Sequence, residues 1–409
     1  MSKIRVLAIS PDQHGVGKFR IMDPYLFIGD KHSDEVHVDI SYGVSDDDIS
    51  FKGYDAVVFH SFIHKESHES NIKRIKWLKT NGIKVIMDTD DYWKVDHRHP
   101  NYETFKSNGL SRRRVEMMKL SDVITTTTDH YADTIRKELG IKDVFVFPNA
   151  VDETESQFKP SPIESDFVRF GWLGGSSHYH DLELMKSGIS QIHRQYKGRT
   201  QFVLCGFDLR GNMRLLNKKT GELTTRPIRP EETAWFKYEN IFTDDYKSLS
   251  DEYKNYLGLW SKDPYGDELS QPYVRRWTLD IKSYATNYNY FDVSLAPLVS
   301  SDFNKNKSQL KVIEAGFHKK ALIATAEIPY TLDLIDSFDM GKFKEKGNAL
   351  LVKSSKNHKQ WFQQMKRLME NPNLIEDLGN RLYETVKDDY SLSNVSKNRV
   401  ELLKTIINN

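Results

Sequence analysis

The stretch Val168-Arg-Phe-Gly-Trp-Leu-Gly-Gly-Ser-Ser177, followed by Leu182, Met185, Ile189, Ile192 and Tyr196 at alternating spacings of three and four, reads as strand, tight glycine turn and helix. The same sequence of events opens the chain, where the apolar run Ile4-Arg-Val-Leu-Ala-Ile-Ser10 leads into Asp12-Gln-His-Gly-Val-Gly-Lys-Phe-Arg20. Between these two units, short β-rich runs recur at residues 6–10, 55–60, 84–88, 122–126 and 144–147, with helical patterns between most of them. Residues 69–80, for example, set Ile72, Ile75 and Leu78 on one face and end before Gly82, as a crossover helix should. The alternation predicts an α/β protein with a parallel, doubly wound sheet, and its restart at Val168 predicts a second such domain.

Residues 1–155 are therefore expected to form an N-terminal Rossmann-like domain. Residues 156–166, with Pro160 and Pro162, form a linker, and 167–380 a second Rossmann-like domain. Further strands of that domain are expected at 201–206, 291–297 and 321–324. Residues 207–288 break the pattern with Tyr, Trp, Arg and Asp and are expected to be an insertion. Residues 381–409 are expected to form a helix that packs back on the first domain.

At 409 residues, with 38% hydrophobic and 29% charged residues, the chain can bury two cores and is not a disordered polymer. The 59 Lys and Arg nearly balance 58 Asp and Glu, so no global field demands a nucleic acid or an anionic membrane. A single cysteine, Cys205, excludes an intrachain disulfide and a Cys-based zinc site and fits a reducing, cytoplasmic setting. No run approaches the roughly 20 apolar residues of a membrane span, which leaves only peripheral membrane contact.

Three segments carry groups suited to chemistry. Gly15 and Gly17 permit a tight turn whose N–H groups can face an anion, with Lys18 and Arg20 adding charge. It is not a Walker loop, because Asp12 stands at the first glycine and Phe19 at the Ser/Thr. In Lys307–Phe317 a helical reading places Lys307, Lys311 and Glu314 on one face and Leu310, Ile313 and Phe317 on another. Lysines can neutralise a phosphate, and a carboxylate can accept both hydroxyls of a ribose; the plainer alternative is a solvated ion pair worth about 0.3–0.5 kcal/mol. Near Gly174 and Ser176, His178, His180 and Asp181 invite a metal reading, against which Asp181 as helix cap is preferred. His60 and Asp88-Thr-Asp-Asp-Tyr-Trp93 fall at the ends of predicted strands, where α/β sheets present functional side chains.

The order of these elements, with Pro148-Asn-Ala-Val-Asp152 before the linker, Gly171-Trp-Leu-Gly-Gly-Ser, Ala296-Pro-Leu, and Lys307-Ser-Gln-Leu-Lys-Val-Ile-Glu-Ala-Gly316, resembles retaining GT-B glycosyltransferases of the large family four type. The resemblance spans nearly the whole chain. It implies two Rossmann-like domains facing a cleft, and transfer of a sugar from a UDP- or GDP-linked donor to a saccharide, lipid-linked or other hydroxyl acceptor. No metal or cofactor is implied. Glu314 matches the second glutamate of the paired-glutamate motif and would bind the ribose, whereas Asn306 stands where the first glutamate is expected. Lys307, Ser308 and Lys311 match a variant subgroup with Lys-Ser-x-Leu-Lys-x-x-Glu and would hold the diphosphate. Gly15, Gly17 and Lys18 match the N-terminal loop, and Gly174, Ser176 and His178 the phosphate-side loop of the second domain.

Asp90 and Asp91 fall near a sugar-contacting polar position and, with Lys311, are the candidate catalytic groups; His60, Asp88 and Trp93 are acceptor-side candidates. The pair Asp88-Thr-Asp90 also mimics the metal-binding carboxylates of the other major glycosyltransferase fold, a reading the two-domain pattern disfavours. Competing readings are a phage-type enzyme acting on modified DNA bases, supported by Arg112-Arg-Arg114 and Arg275-Arg276, and a sugar-nucleotide epimerase on the same fold. A degenerate lectin-like binder is a further reading, suggested by Asn306.

Overall fold

The computed structural model describes residues 3–43, 51–64, 67–208, 211–216, 223–243, 272–339, 342–353 and 356–408. Part of the expected insertion, 209–210, 217–222 and 244–271, lies outside the described residues.

The first half is one six-stranded sheet of β1 (Ile4–Ile9), β2 (Val36–Ser41), β3 (Ala56–His60), β4 (Lys84–Asp88), β5 (Val123–Thr126) and β6 (Val144–Val146), all pairs parallel, in the order β2-β1-β3-β4-β5-β6. Its strands are buried on both faces, which is why they read as continuous apolar runs. Leu7, Ile9, Val57, Phe59 and Met87 enter one core, and Val6, Ala8, Val58 and Ile86 enter the other.

The second half begins with β7 (Val168–Leu173) and β8 (Thr200–Phe207) and continues through an antiparallel hairpin, β9 (Asn212–Leu216) and β10 (Leu223–Pro227). It resumes with β11 (Tyr273–Trp277), β12 (Val293–Ala296) and β13 (Ala321–Thr325), passes the two-residue strands β14 (Phe338–Asp339) and β15 (Lys342–Phe343), and ends in β16 (Leu350–Val352). Its parallel sheet has the order β11-β8-β7-β12-β13-β16. The order reverses at β1 in the first sheet and at β7 in the second. The turn after each of these strands therefore opens a crevice at a topological switch point.

Residues 381–409 do not form one helix. Asn373–Val386 packs on the helix Leu310–Phe317, where Gly316 admits Val386: a Cβ on that glycine would lie 2.4 Å from a Val386 methyl. The chain then crosses back, Val151 and Leu392 exchanging backbone hydrogen bonds with Tyr390 and Val151, and the helix Leu392–Asn408 lays Leu392, Val395, Val400 and Leu403 into the outer core of the first sheet. Among the described residues no helix is long and apolar enough to cross a membrane.

One buried charge makes the fold pH-sensitive. Lys320, just before β13, is 5% exposed, and burial pushes its amine down to about 8, with Asp292 opposing and Arg169 adding to the shift. Between that value and the ordinary lysine range the unfolded chain binds more protons, so stability rises with pH from about 8 to 10.5, by about 3 kcal/mol in full. Lys320→Met should therefore melt higher than the parent at about pH 7.5 and lose most of the parent's rise between about pH 7.5 and 9.5. Equal pH dependence in the two proteins would contradict this account of Lys320.

Candidate active site

Where β1 ends, the chain is tied into a turn. The Ser10 hydroxyl donates to the Asp12 carbonyl at 2.7 Å, and Asp12 Oδ1 accepts the N–H groups of His14 and Gly17 at 2.8 and 3.1 Å. A Cβ on Gly17 would sit 2.0 Å from the Asp12 carbonyl oxygen, so this position admits only glycine; around Gly15 the space is open. Lys18 does not project from the turn as free charge. Its ammonium is buried between Asp23 at 2.8 Å and Glu155 at 2.7 Å, and these carboxylates hold its pKa above the usual lysine value despite the penalty of burial. Arg20 turns inward, its guanidinium forked on Asp88 at 2.8 and 2.9 Å and donating to the Phe147 carbonyl and to Asn149.

Asp88 is accordingly a fully buried strut at the end of β4, with Thr125 donating to it as well. Trp93 is also buried, against Tyr92 and Tyr131. Two aspartates between them stay half-buried. His60, at the end of β3, lies 2.9 Å from Asp90 Oδ1 through Nε2 and 2.9 Å from the Ser61 hydroxyl through Nδ1. Burial works to raise both carboxyls, but His60 holds Asp90 well below the usual carboxylate range, and the neighbouring Asp90 charge leaves Asp91 raised. The Asp91 carbonyl is fixed by Tyr131 at 2.5 Å and Arg114 at 3.2 Å.

In the second half, β7 runs into Gly174, whose missing side chain lets the Trp172 indole lie beneath the loop, and Gly175, Ser176 and Ser177 are exposed. Asp181 does not cap the helix. Its Oδ2 lies 2.8 Å from His178 Nδ1, and its Oδ1 accepts the Val299 N–H at 2.7 Å, so it staples the β7 loop to the β12 loop. Among the described residues no group of three or more His, Cys, Asp and Glu is arranged to hold a metal ion.

The helix carrying the donor motif starts at Leu310, later than the periodicity suggested, so Lys307 and Ser308 stand in the loop before it. Lys311, in its first turn, donates to the Leu173 carbonyl and lies 3.8 Å from Glu314; burial lowers its pKa. Glu314 is buried, with one carboxylate oxygen accepting the Tyr284 hydroxyl and the other the Tyr288 hydroxyl at 2.9 Å. Asn306 donates to the Asp302 carbonyl at 2.7 Å and is buried. Ser308 accepts from Asn149 at 3.0 Å, a direct bond between the two halves.

The Lys307 charge reaches groups of both halves. It adds to the burial that lowers His99 and His178, on opposite halves, and opposes the rise of Asp91. Arg98 was not singled out by any sequence signal. It is held by Asp96 at 2.9 and 3.1 Å, and with His180 it lines both a cavity of about 980 Å³ and one of about 610 Å³. Only its position in a polar loop after a strand could have hinted at it. Arg275 and Arg276, by contrast, are core residues, the first paired with Glu239 at 2.8 Å and the second stacked on Tyr290.

No protein-family model matches the chain, and no curated protein matches it by sequence. Solved structures do match in shape. Sucrose-phosphate synthase from Thermosynechococcus elongatus superposes with a TM-score of 0.64 at 12% identity, over 99% of each chain. A glycosyltransferase from Rickettsia africae superposes with a TM-score of 0.60 at 12% identity over 100% of each chain, and Anabaena HepE, in complex with UDP-glucose, with 0.58 at 10% over 98% of this chain and 100% of its own. At these identities the likeness carries the architecture alone: two parallel six-stranded α/β sheets of the GT-B fold, along the full length of the chain.

Proposed function

We propose that the chain transfers a glycosyl group from a UDP- or GDP-linked sugar to an acceptor hydroxyl, with retention of configuration and without a metal. The observation that carries this reading is that, at the switch point of the second sheet, Lys311 in the first turn of the helix Leu310–Phe317 bonds the Leu173 carbonyl just before the exposed Gly175–Ser177 turn, and Lys307 lines one small cavity with Ser177. Such a site supplies two cations, free backbone N–H groups and a helix N-terminus to a diphosphate. In this reading residues 1–155 form the acceptor side and 167–380 the donor side.

The acceptor oxygen attacks the anomeric carbon from the face that the diphosphate leaves. The bond from that carbon to the phosphate oxygen breaks, and the departing phosphate takes the acceptor proton. Lys307, Lys311 and the loop amides, with Ser308, Gly174, Ser176 and His178 bordering them, stabilise the charge gathering on the leaving group. Glu314 holds the ribose, and Gly15 and Gly17 let the first turn approach from the opposite side. Asp90 and Asp91 orient the acceptor hydroxyl, His60 fixing Asp90. Lys18, Asp88 and Trp93 act from behind, as supports of the turn and the strand ends. Buried, unpaired Cys205 supports a reducing, cytoplasmic setting.

A panel of UDP- and GDP-sugars in a melting assay tests the reading, because a ligand of the folded state raises its melting temperature. One donor should do so and be turned over in the presence of EDTA, with the product's anomeric configuration, read by NMR, matching the donor's. If no nucleotide sugar shifts melting and none releases nucleoside diphosphate, the reading is wrong; an epimerised sugar formed without acceptor would select the epimerase instead.

A further inference from the structure

Arg399 lies in the C-terminal helix Leu392–Asn408 where it crosses the first sheet, and it is 2% exposed. Its guanidinium carbon is 4.7 Å from the centre of the Phe147 ring and 5.9 Å from that of Tyr25. None of its three side-chain nitrogens makes a well-aligned hydrogen bond among the described residues, the neutral Tyr25 hydroxyl offering only a loose contact and no counter-charge, and the Ser396 hydroxyl one turn earlier has no partner among them either. The nearby carboxylate is already committed, for Asp88 receives Nε and Nη2 of Arg20. Two guanidinium groups thus share one buried carboxylate. Burial, and then the charge of Arg20, both work against the charge on Arg399, with the Tyr25 hydroxyl and Asp88 offering partial compensation.

A buried guanidinium without a counter-charge is among the most costly arrangements a fold can hold. Water satisfies donors but leaves the charge uncompensated. We propose that Arg399 holds a small monovalent anion of chloride size, enclosed between the C-terminal helix, Phe147 and Tyr25. One negative charge balances the cluster, and the apolar ring walls suit a small, weakly hydrated ion better than a phosphate. The site is separate from the donor cleft. It buttresses Arg20, whose remaining arm reaches Asn149 and through it Ser308, so the anion steadies the contact between the two halves.

The test is to melt the full chain in sodium chloride and in sodium gluconate at equal ionic strength, and to grow crystals in sodium bromide. The wild type should melt about 2–4 °C higher in chloride, the Arg399→Met variant should show no such difference, and an anomalous bromide peak should lie against the Arg399 guanidinium. Equal melting in both salts, or a chloride effect with no bromide peak at Arg399, overturns the proposal and leaves buried water as the partner. If Arg399→Met does not fold, the wild-type melts and the bromide map still decide.

Discussion

Replacing Lys311 by methionine should lower the rate of glycosyl transfer about 10²–10³-fold, the usual loss when one pre-positioned charge on a developing anion is removed. Three features make this residue decisive. It stands in the first turn of the helix Leu310–Phe317, at the positive end of that helix's dipole. Its amine is tethered to the Leu173 carbonyl at the end of β7, which fixes it beside the Gly174–Ser177 turn. Burial lowers its pKa, so its charge is poorly solvated in the free protein and gains most when a diphosphate arrives.

Methionine keeps the length and apolar stem and removes the charge, the tether and the ammonium's approach to the Trp172 ring, 6.0 Å from its centre. Melting temperature should therefore change little, and the defect should appear in kcat more than in KM, since the leaving-group charge is greatest in the transition state. Lys307→Met should be milder, because Lys307 lies outside the helix and its ammonium rests over the Phe303 ring, 5.0 Å from its centre. Parent-level turnover in Lys311→Met, with nucleotide-sugar affinity intact, would move the diphosphate away from this helix.

The sheets were legible because their strands are buried on both faces, so runs such as Val57-Val-Phe59 and Leu322-Ile-Ala324 announce themselves without knowledge of their neighbours. The glycine turns were legible for the same local reason. What could not be read were partnerships between residues far apart in sequence. Lys18 looked like a free cation because Glu155, 137 residues away, is invisible to any window; Asp88 looked functional because Arg20 is 68 residues away. The end of the Lys307–Phe317 pattern was read correctly as helix, but its start was not. Asn306 and Lys307 instead close a separate short helix, Asp302–Lys305, through contacts four residues back to Asp302 and Phe303, and Ser308 is held by Asn149, 159 residues away, which periodicity cannot register. Tyr284 and Tyr288 belong to a short 3₁₀ segment, Tyr284–Tyr290, whose three-residue turn gives no amphipathic signature, yet they are the residues that hold Glu314.

Those tyrosines sharpen the second large effect, which we expect from Glu314→Gln: a nucleotide-sugar KM raised about 10–100-fold, equivalent to losing one or two charge-assisted hydrogen bonds. As the chain folds by itself, both carboxylate oxygens accept tyrosine hydroxyls. A ribose can share an oxygen, since each carries two lone pairs, or it can displace Tyr284, which is only partly buried and meets Phe19 and Phe158 edge-on. Tyr288 is fully buried and stacked on His318, so it stays. Glutamine preserves the shape but turns one acceptor into a donor and removes the charge 3.8 Å from Lys311. Binding of the nucleoside should suffer more than the chemical step, the reverse of Lys311→Met. Tyr288→Phe separates this from loss of structure: it removes a buried hydrogen bond, should lower the melting temperature, and should leave the oxygen facing Tyr284 in place. If Glu314→Gln and Tyr288→Phe lose stability alike while donor KM is unchanged in both, Glu314 is a buried anchor for the Tyr284–Tyr290 segment and the ribose binds elsewhere.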